Sequence, residues 1–161
     1  MEFIWSPWRM EYIQDDKQGE KCIFCLALGK TDNSENLIIA REQRVFTILN
    51  RYPYTTGHIM VVPILHEPAF ENLDKDTSKE LMLCTQKAIR ILKKVYKPQG
   101  FNVGFNIGEA AGAGVLGHVH MHIVPRWIGD TNFMSTLATT RVLPESLEQT
   151  YLKIQKYWNN E

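Results

Sequence analysis

The segment His118-Val119-His120-Met121-His122-Ile123-Val124 carries a histidine at every second position of a short apolar run. Alternate residues of a β-strand point to the same face, so this spacing predicts three imidazoles in a row along one side. The residues between the histidines are apolar and predict an opposite face that is buried against a helix. The segment therefore predicts a strand with one polar, chemically active face and one face in the core.

Strands and helices are predicted on both sides of this segment. The β-branched run Val45–Leu49 and a second run at 58–63 are separated by a turn-rich loop, which predicts an antiparallel pair. From Asp74 onward apolar residues recur at three and four positions until the Pro98-Gln99-Gly100 stop, which predicts a long helix. The other predicted elements are strands over 101–106 and 115–124 and a C-terminal helix over 145–159. Together they predict one α+β domain over 1–161, with a mainly antiparallel sheet backed by the long helix.

Charge and composition exclude several classes of partner. Lys plus Arg and Asp plus Glu both number 18, so no global field draws the chain to nucleic acid or to an anionic membrane. No apolar run approaches the length of a membrane span, and residues 1–20 form an aromatic extension instead of a secretory signal. A cytoplasmic location and locally built phosphate binding are therefore expected.

All five histidines fall in two places, because His58 and His66 flank the second predicted strand and the other three alternate along 118–122. Imidazoles bind metals, but side chains spaced along a flat strand do not converge on one ion without further ligands. The glycine-rich loop at 108–117 precedes them, and its glycines would let backbone N–H groups approach an anion. Imidazoles beside such a loop favour phosphoryl or nucleotidyl chemistry.

The pair Cys22-Ile23-Phe24-Cys25 admits more than one interpretation from its spacing alone. It could be a redox motif, although no βαβ pattern follows it, or half of a tetrahedral metal site, or neither. The third cysteine, Cys84, lies at an apolar helical position and is expected to be part of the core.

The histidine segment resembles the His-φ-His-φ-His-φ-φ signature of the histidine triad (HIT) superfamily, where φ is an apolar residue. Resemblance extends over roughly residues 5 to 134, to the branch with bacterial diadenosine polyphosphate phosphorylases and hydrolases. It includes the segments 5–13, 106–108, 111–115 and 125–134. The family implies an α+β HIT-like fold with a five-stranded sheet, a long packing helix and a C-terminal helix. It also implies cleavage of a phosphoanhydride in an adenine (di)nucleotide.

The resemblance also implies residue roles. His120 matches the nucleophile that forms a nucleotidyl-histidine, His122 the third triad position on the phosphate side, and His58 a histidine that lines the active site. The implied substrate-binding residues are Asn50, Asn106, Gly112, Ala113, Gly114 and Val115. One departure concerns Gly114, where related branches carry glutamine or serine, so a side-chain donor to the bridging phosphate is missing and hydrolase versus phosphorylase stays open.

In some members of the superfamily a structural zinc is held by residues matching Cys22, Cys25, His66 and His118. The resemblance further implies a homodimer and leaves room for Mg²⁺ carried in with the nucleotide. Two other functions remain open: a non-catalytic adenine nucleotide-binding module of the same fold, and a metal-binding interaction domain built on the cysteine pair.

Overall fold

The computed structural model describes residues 22–130 and 143–161, and these residues form five strands and three α-helices. In chain order the elements are α1 (Ile23–Leu28), β1 (Ile38–Arg41), β2 (Val45–Leu49), β3 (Ile59–Pro63), α2 (Lys75–Tyr96), β4 (Gly100–Phe105), β5 (Met121–Arg126) and α3 (Leu147–Trp158). Short 3₁₀ turns lie at Phe70–Asn72 and Glu109–Ala111. The aromatic extension predicted over 1–20 lies outside the described residues.

The strands form one antiparallel sheet in the order β1-β2-β3-β5-β4. The strand β5 therefore has a neighbour on each side, and His122 pairs with Met60 of β3 and with Gly104 of β4. Directly paired residues share a face, so Met60 and Gly104 flank His122. The sheet thus carries His122 near the middle of one face.

The opposite face is covered by α2, which contacts β2, β3 and β5, while α3 packs on α2 and β1. Asp74 caps α2 by accepting the amides of Asp76 and Thr77, at 3.0 and 2.9 Å. At its other end, Lys97 takes the left-handed conformation just before Pro98, and the helix stops. Within 22–130 and 143–161, no helix combines the length and the apolar character that crossing a membrane requires.

The fold class predicted from the sequence is confirmed, and one strand boundary is corrected. The strand predicted over 115–124 begins only at Met121, so His118 and His120 lie in the segment that leads into β5. The reason is that the amide of Val119 donates to the carbonyl of Glu67 (2.8 Å), outside the sheet's ladder of hydrogen bonds. The predicted alternation nevertheless holds, because Met121 faces α2 and accepts a hydrogen bond from Thr85.

The C-terminal helix is tied into the core, which gives a stability prediction. Ile154 of α3 is fully buried, whereas Leu152 on the same helix is 56% exposed. We expect Ile154→Ala to lower the free energy of unfolding by about 2–5 kcal/mol, because it removes buried methyl groups and leaves a cavity. Leu152→Ala is the matched control and should change it by no more than about 0.5 kcal/mol. Urea unfolding of both variants tests this, and equal small losses would mean that α3 is not part of the core.

Candidate active site

The three alternating histidines line one side of the segment that enters β5, and all three are buried. The rings of His120 and His122 lie 4.8 Å apart between centroids, at 70° to each other. His58, which directly precedes β3, also reaches this group, since its ring lies 5.1 Å from that of His122. The structure therefore gathers His58, His120 and His122 on the sheet face opposite α2.

The proton position on His120 follows from its hydrogen bond. Its Nδ1 lies 2.8 Å from the carbonyl oxygen of His118, and since a carbonyl only accepts, Nδ1 must carry the proton. In the neutral ring Nε2 then holds a lone pair. His120 is only 4% exposed, and burial lowers its pKa below the ordinary value although the bond to the carbonyl opposes this. Burial thus favours the neutral form of His120, in which Nε2 is a potential nucleophile.

A second chain of hydrogen bonds fixes the protons of His58 and His122. The backbone amide of Tyr54 donates to Nδ1 of His58 at 3.1 Å, so the neutral His58 ring carries its proton on Nε2. That Nε2–H lies 2.9 Å from Nδ1 of His122, which must accept it. The proton of a neutral His122 is therefore on Nε2. The two triad histidines consequently differ in chemistry: His120 offers a lone pair at Nε2 and His122 an N–H.

Two asparagines border this group. Asn50 follows β2, and its Oδ1 accepts the amide of Tyr52 at 2.9 Å while its Nδ2 lies 3.5 Å from Nδ1 of His58. Asn106 directly follows β4, and extending the β4–β5 register by one pair places it opposite His120. A Cβ built on Gly104, which pairs with His122, would meet no atom of the described residues within 4 Å. Among these residues, nothing fills the sheet face beside His122 at Gly104.

The glycine-rich loop uses some of its amides internally. Gly108 and Gly112 have φ values of +81° and +79°, a conformation that glycine adopts without steric cost. The amides of Gly112 and Ala113 donate to the carbonyls of Glu109 and Gly108. Within the part of the chain that the structure describes, the amides of Gly114 and Val115 make no such bond. Of the four predicted loop residues, these last two thus have no backbone acceptor for their amides among the described residues.

A second cluster lies on the other side of His118 and consists of Cys22, Cys25, His66 and His118. One ligand atom from each lies within 4.8 Å of all the others. The sulfurs of Cys22 and Cys25 are 3.3 and 3.8 Å from Nδ1 of His118, and Cys25 Sγ is 3.3 Å from Nδ1 of His66. A tetrahedral zinc with Zn–S of about 2.3 Å and Zn–N of about 2.0–2.1 Å needs ligand separations of about 3.3–3.8 Å. The three sulfur–nitrogen distances lie in this range, and two cysteines with two histidines are a donor set that zinc prefers.

The surroundings of His118 agree with a metal ligand. Its Nε2–H donates to the carbonyl of Pro63 at 2.8 Å, which leaves the lone pair of Nδ1 toward the sulfurs. Burial lowers the pKa of His118 and so favours the neutral, ligating ring. Burial, and to a lesser extent the neighbouring Cys22, raise the pKa of the Cys25 thiol, which disfavours its thiolate form. A divalent cation bound to the sulfur would stabilise the thiolate and offset this effect.

Sequence reasoning did not identify two residues of this region. Tyr54 contributes its backbone amide to His58 and a ring 4.7 Å from that of His58, and a backbone donor leaves no signal in the sequence. Phe24 is buried against His118 and His120. Its position between the two cysteines was visible, but only the cysteines were interpreted.

Comparison with known proteins places this arrangement in a family. The HIT domain model matches residues 31–127. A Mycobacterium tuberculosis protein named AP-4-A phosphorylase is 37% identical over 165 aligned positions, which cover 98% of this chain and 85% of that protein.

Among solved structures, a zinc-bound histidine triad family protein from Mycobacterium smegmatis has a TM-score of 0.69 and 25% identity, covering 87% of this chain and 94% of that one. Plasmodium falciparum diadenosine triphosphate hydrolase, crystallised with Cyclomarin A, has a TM-score of 0.64 at 20% identity and covers 95% of this chain and 98% of its own. At that identity the likeness concerns the fold alone. From the matched domain and the near full-length relative, we conclude that the chain belongs to the histidine triad family.

Proposed function

We propose that this protein cleaves dinucleoside polyphosphates of the diadenosine tetraphosphate type through a nucleotidyl intermediate on His120. The observation that carries the proposal is the bond from Nδ1–H of His120 to the carbonyl of His118, because it makes Nε2 the nucleophilic nitrogen. The name of the Mycobacterium tuberculosis relative, AP-4-A phosphorylase, supports this substrate class.

In the first step, Nε2 of His120 attacks the phosphorus of the adenylyl group. A P–N bond forms and the bond from that phosphorus to its bridging oxygen breaks, which releases the remaining chain as ATP when the substrate is diadenosine tetraphosphate. Nε2–H of His122 donates a hydrogen bond to the phosphate oxygens and stabilises their charge. Asn50 and Asn106 are proposed to hold ribose and phosphate, together with the loop residues Gly112, Ala113, Gly114 and Val115.

We propose inorganic phosphate as the acceptor in the second step. With Nδ1 of His122 occupied by His58, His122 presents an N–H and has no lone pair to take a proton from water. Phosphate dianion attacks through an oxygen that already carries charge, so no proton has to be removed. Its oxygen forms a bond to the adenylyl phosphorus, the P–N bond breaks, and ADP leaves with Nε2 of His120 regenerated.

The products distinguish the proposed reaction from its alternatives. We expect diadenosine tetraphosphate to give ADP and ATP only when inorganic phosphate is present, as measured by chromatography of the released nucleotides. AMP and ATP without phosphate would show that water is the acceptor and would overturn the acceptor assignment. Binding of the dinucleotide with no product in either condition would support the non-catalytic nucleotide-binding module.

The nucleophile assignment gives a second prediction. We expect His120→Ala to lower kcat by several orders of magnitude, because the covalent route is lost, while the Kd for the dinucleotide changes little. Turnover and equilibrium binding of the purified variant test this. If the variant keeps more than about a tenth of wild-type turnover, a loss below about 1.4 kcal/mol, His120 is not the nucleophile.

We propose that Cys22, Cys25, His66 and His118 hold one structural zinc. All four positions of a tetrahedral ion would come from the protein, so no site is left for a water or a substrate. When bound, zinc would supply a cross-link between the α1 segment and the sheet and no reaction step. The proposal is supported by the ligand separations and by the zinc-bound histidine triad protein from Mycobacterium smegmatis.

Zinc binding has a direct test with a matched control. Protein purified without added metal should contain about one zinc per chain, and Cys25→Ser should lose zinc and melt at a lower temperature. Cys84→Ala is the control, because Cys84 is a buried residue of α2 outside the cluster, and burial raises its pKa to about 12. It should retain the zinc in full. A metal-free wild-type protein that is fully folded would contradict the assignment.

We propose that two copies pair through their β4 strands into a homodimer. Among the described strands, β4 is an edge strand of six residues with Val103 43% exposed. The other edge, β1, has four residues, an irregular register and a contact with α3. An exposed edge of this kind is suited to pairing with a second strand.

Native mass measurement at micromolar concentration should give a dimer. Val103→Glu should weaken this dimer, whereas the control Leu152→Glu, on the exposed surface of α3, should leave it unchanged. A monomeric wild type would contradict it.

We propose that the chain is one HIT domain in a cytoplasmic location, because a reducing compartment keeps the cysteine pair available to a metal. Mg²⁺ is proposed to enter with the polyphosphate chain, whose negative charge it neutralises. The 18 basic and 18 acidic residues balance, so no global field attracts nucleic acid or an anionic membrane, and we propose neither as a partner.

A further inference from the structure

Phe24 lies between the metal cluster and the proposed nucleophile. It sits on α1 between Cys22 and Cys25 and is 2% exposed. Its ring centroid is 5.4 Å from that of His118 in an edge-on arrangement and 5.0 Å from that of His120, tilted by 54°. One side chain therefore contacts both a proposed metal ligand and the nucleophile next to it.

His120 needs more than its hydrogen bond to be aimed at a phosphorus. A bond at Nδ1 alone leaves the imidazole able to swing about that contact, which moves Nε2 sideways. The ring of Phe24 restrains it at 5.0 Å and the ring of His122 at 4.8 Å. With both aromatic neighbours in place, the plane of the imidazole and the direction of the Nε2 lone pair are fixed.

The position of Phe24 depends in turn on how α1 is held. This helix has six residues, and its N-cap, Cys22, makes no side-chain capping hydrogen bond; helices this short are not stable on their own. At its end, Arg41 donates to the carbonyl of Leu28 at 2.8 Å and forms an ion pair with Asp32. Its beginning carries the two cysteines of the cluster. A metal ion there would fix the first turn of α1, and with it Phe24.

We propose that Phe24 is a positioning residue that transmits the state of the metal cluster to the orientation of His120. The structural zinc then has an effect on catalysis without taking part in a step. The kinetic part of this inference rests on the proposed cleavage through His120, whereas the structural part, the restraint of the ring, does not.

The test compares zinc-loaded wild type with Phe24→Leu, and with Phe24→Met as a flexible side chain of similar volume should the leucine variant fold poorly. Zinc content should stay at the wild-type level. The His120 ring signals in NMR spectra of the nucleotide-free protein should shift relative to wild type. With diadenosine tetraphosphate and phosphate, kcat should fall about tenfold or more while KM stays within about threefold.

The control is Ile91→Ala. Ile91 is a fully buried residue of α2, on the opposite side of the sheet from Phe24 and His120, so this variant softens the core without touching Phe24. It should keep kcat within about twofold of wild type. A loss of kcat equal to that of the Phe24 variants would indicate general softening of the core and overturn the proposal.

Two further measurements test whether Phe24 connects the metal cluster to His120 and whether it contacts the substrate instead. Chelation of the metal should shift the His120 signals in wild type and shift them less in Phe24→Leu; equal shifts would overturn the link. A raised KM at unchanged kcat would make Phe24 a substrate contact instead. A wild type without turnover would mean that the proposed function is wrong. The NMR comparison would still test this inference, and unchanged His120 signals in Phe24→Leu would overturn it.

Discussion

The hydrogen bond from Nδ1–H of His120 to the carbonyl of His118 is the constraint on which the site depends. It connects two residues with different proposed roles, because His118 is a proposed metal ligand and His120 is the proposed nucleophile. The same backbone segment that ties the α1 region to the sheet thereby sets the proton of the reactive imidazole. A shift of His118 would disturb the nucleophile without any change in the chemistry of His120 itself.

The rest of the fold supports this segment from two sides. Below β5, Met121 and Ile123 are buried on the face that α2 covers, so the strand cannot rotate without opening the core. Above it, the bond from His58 holds His122 in the proton state opposite to that of His120. Two imidazoles two residues apart therefore perform different tasks because different backbone groups, a carbonyl and an amide, fix their protons.

The sequence predicted the fold, and which histidines lie together, better than the detailed geometry of the site. The alternation at 118–122 and the long apolar helix identified the layers, because periodicity reports which side of an element is buried. The first residue of β5 was not predicted correctly, because it depends on the amide of Val119, which donates to the carbonyl of Glu67. The spacing of Cys22 and Cys25 was visible, but His66 lies 41 positions from Cys25, and only the family resemblance joined them. The proton positions rest on the amide of Tyr54 and the carbonyl of Pro63. Any residue in the same conformation could supply the carbonyl, and any except proline the amide.

The proposed chemistry requires Nε2 of His120 to be an unprotonated nitrogen, and ¹⁵N NMR of the histidine rings measures this directly. In nucleotide-free, zinc-loaded protein at neutral pH, we expect His120 to carry its proton on Nδ1 and His122 on Nε2. The reverse arrangement at His120, with the proton on Nε2, would remove the lone pair from the attacking nitrogen and show that His120 is not the nucleophile.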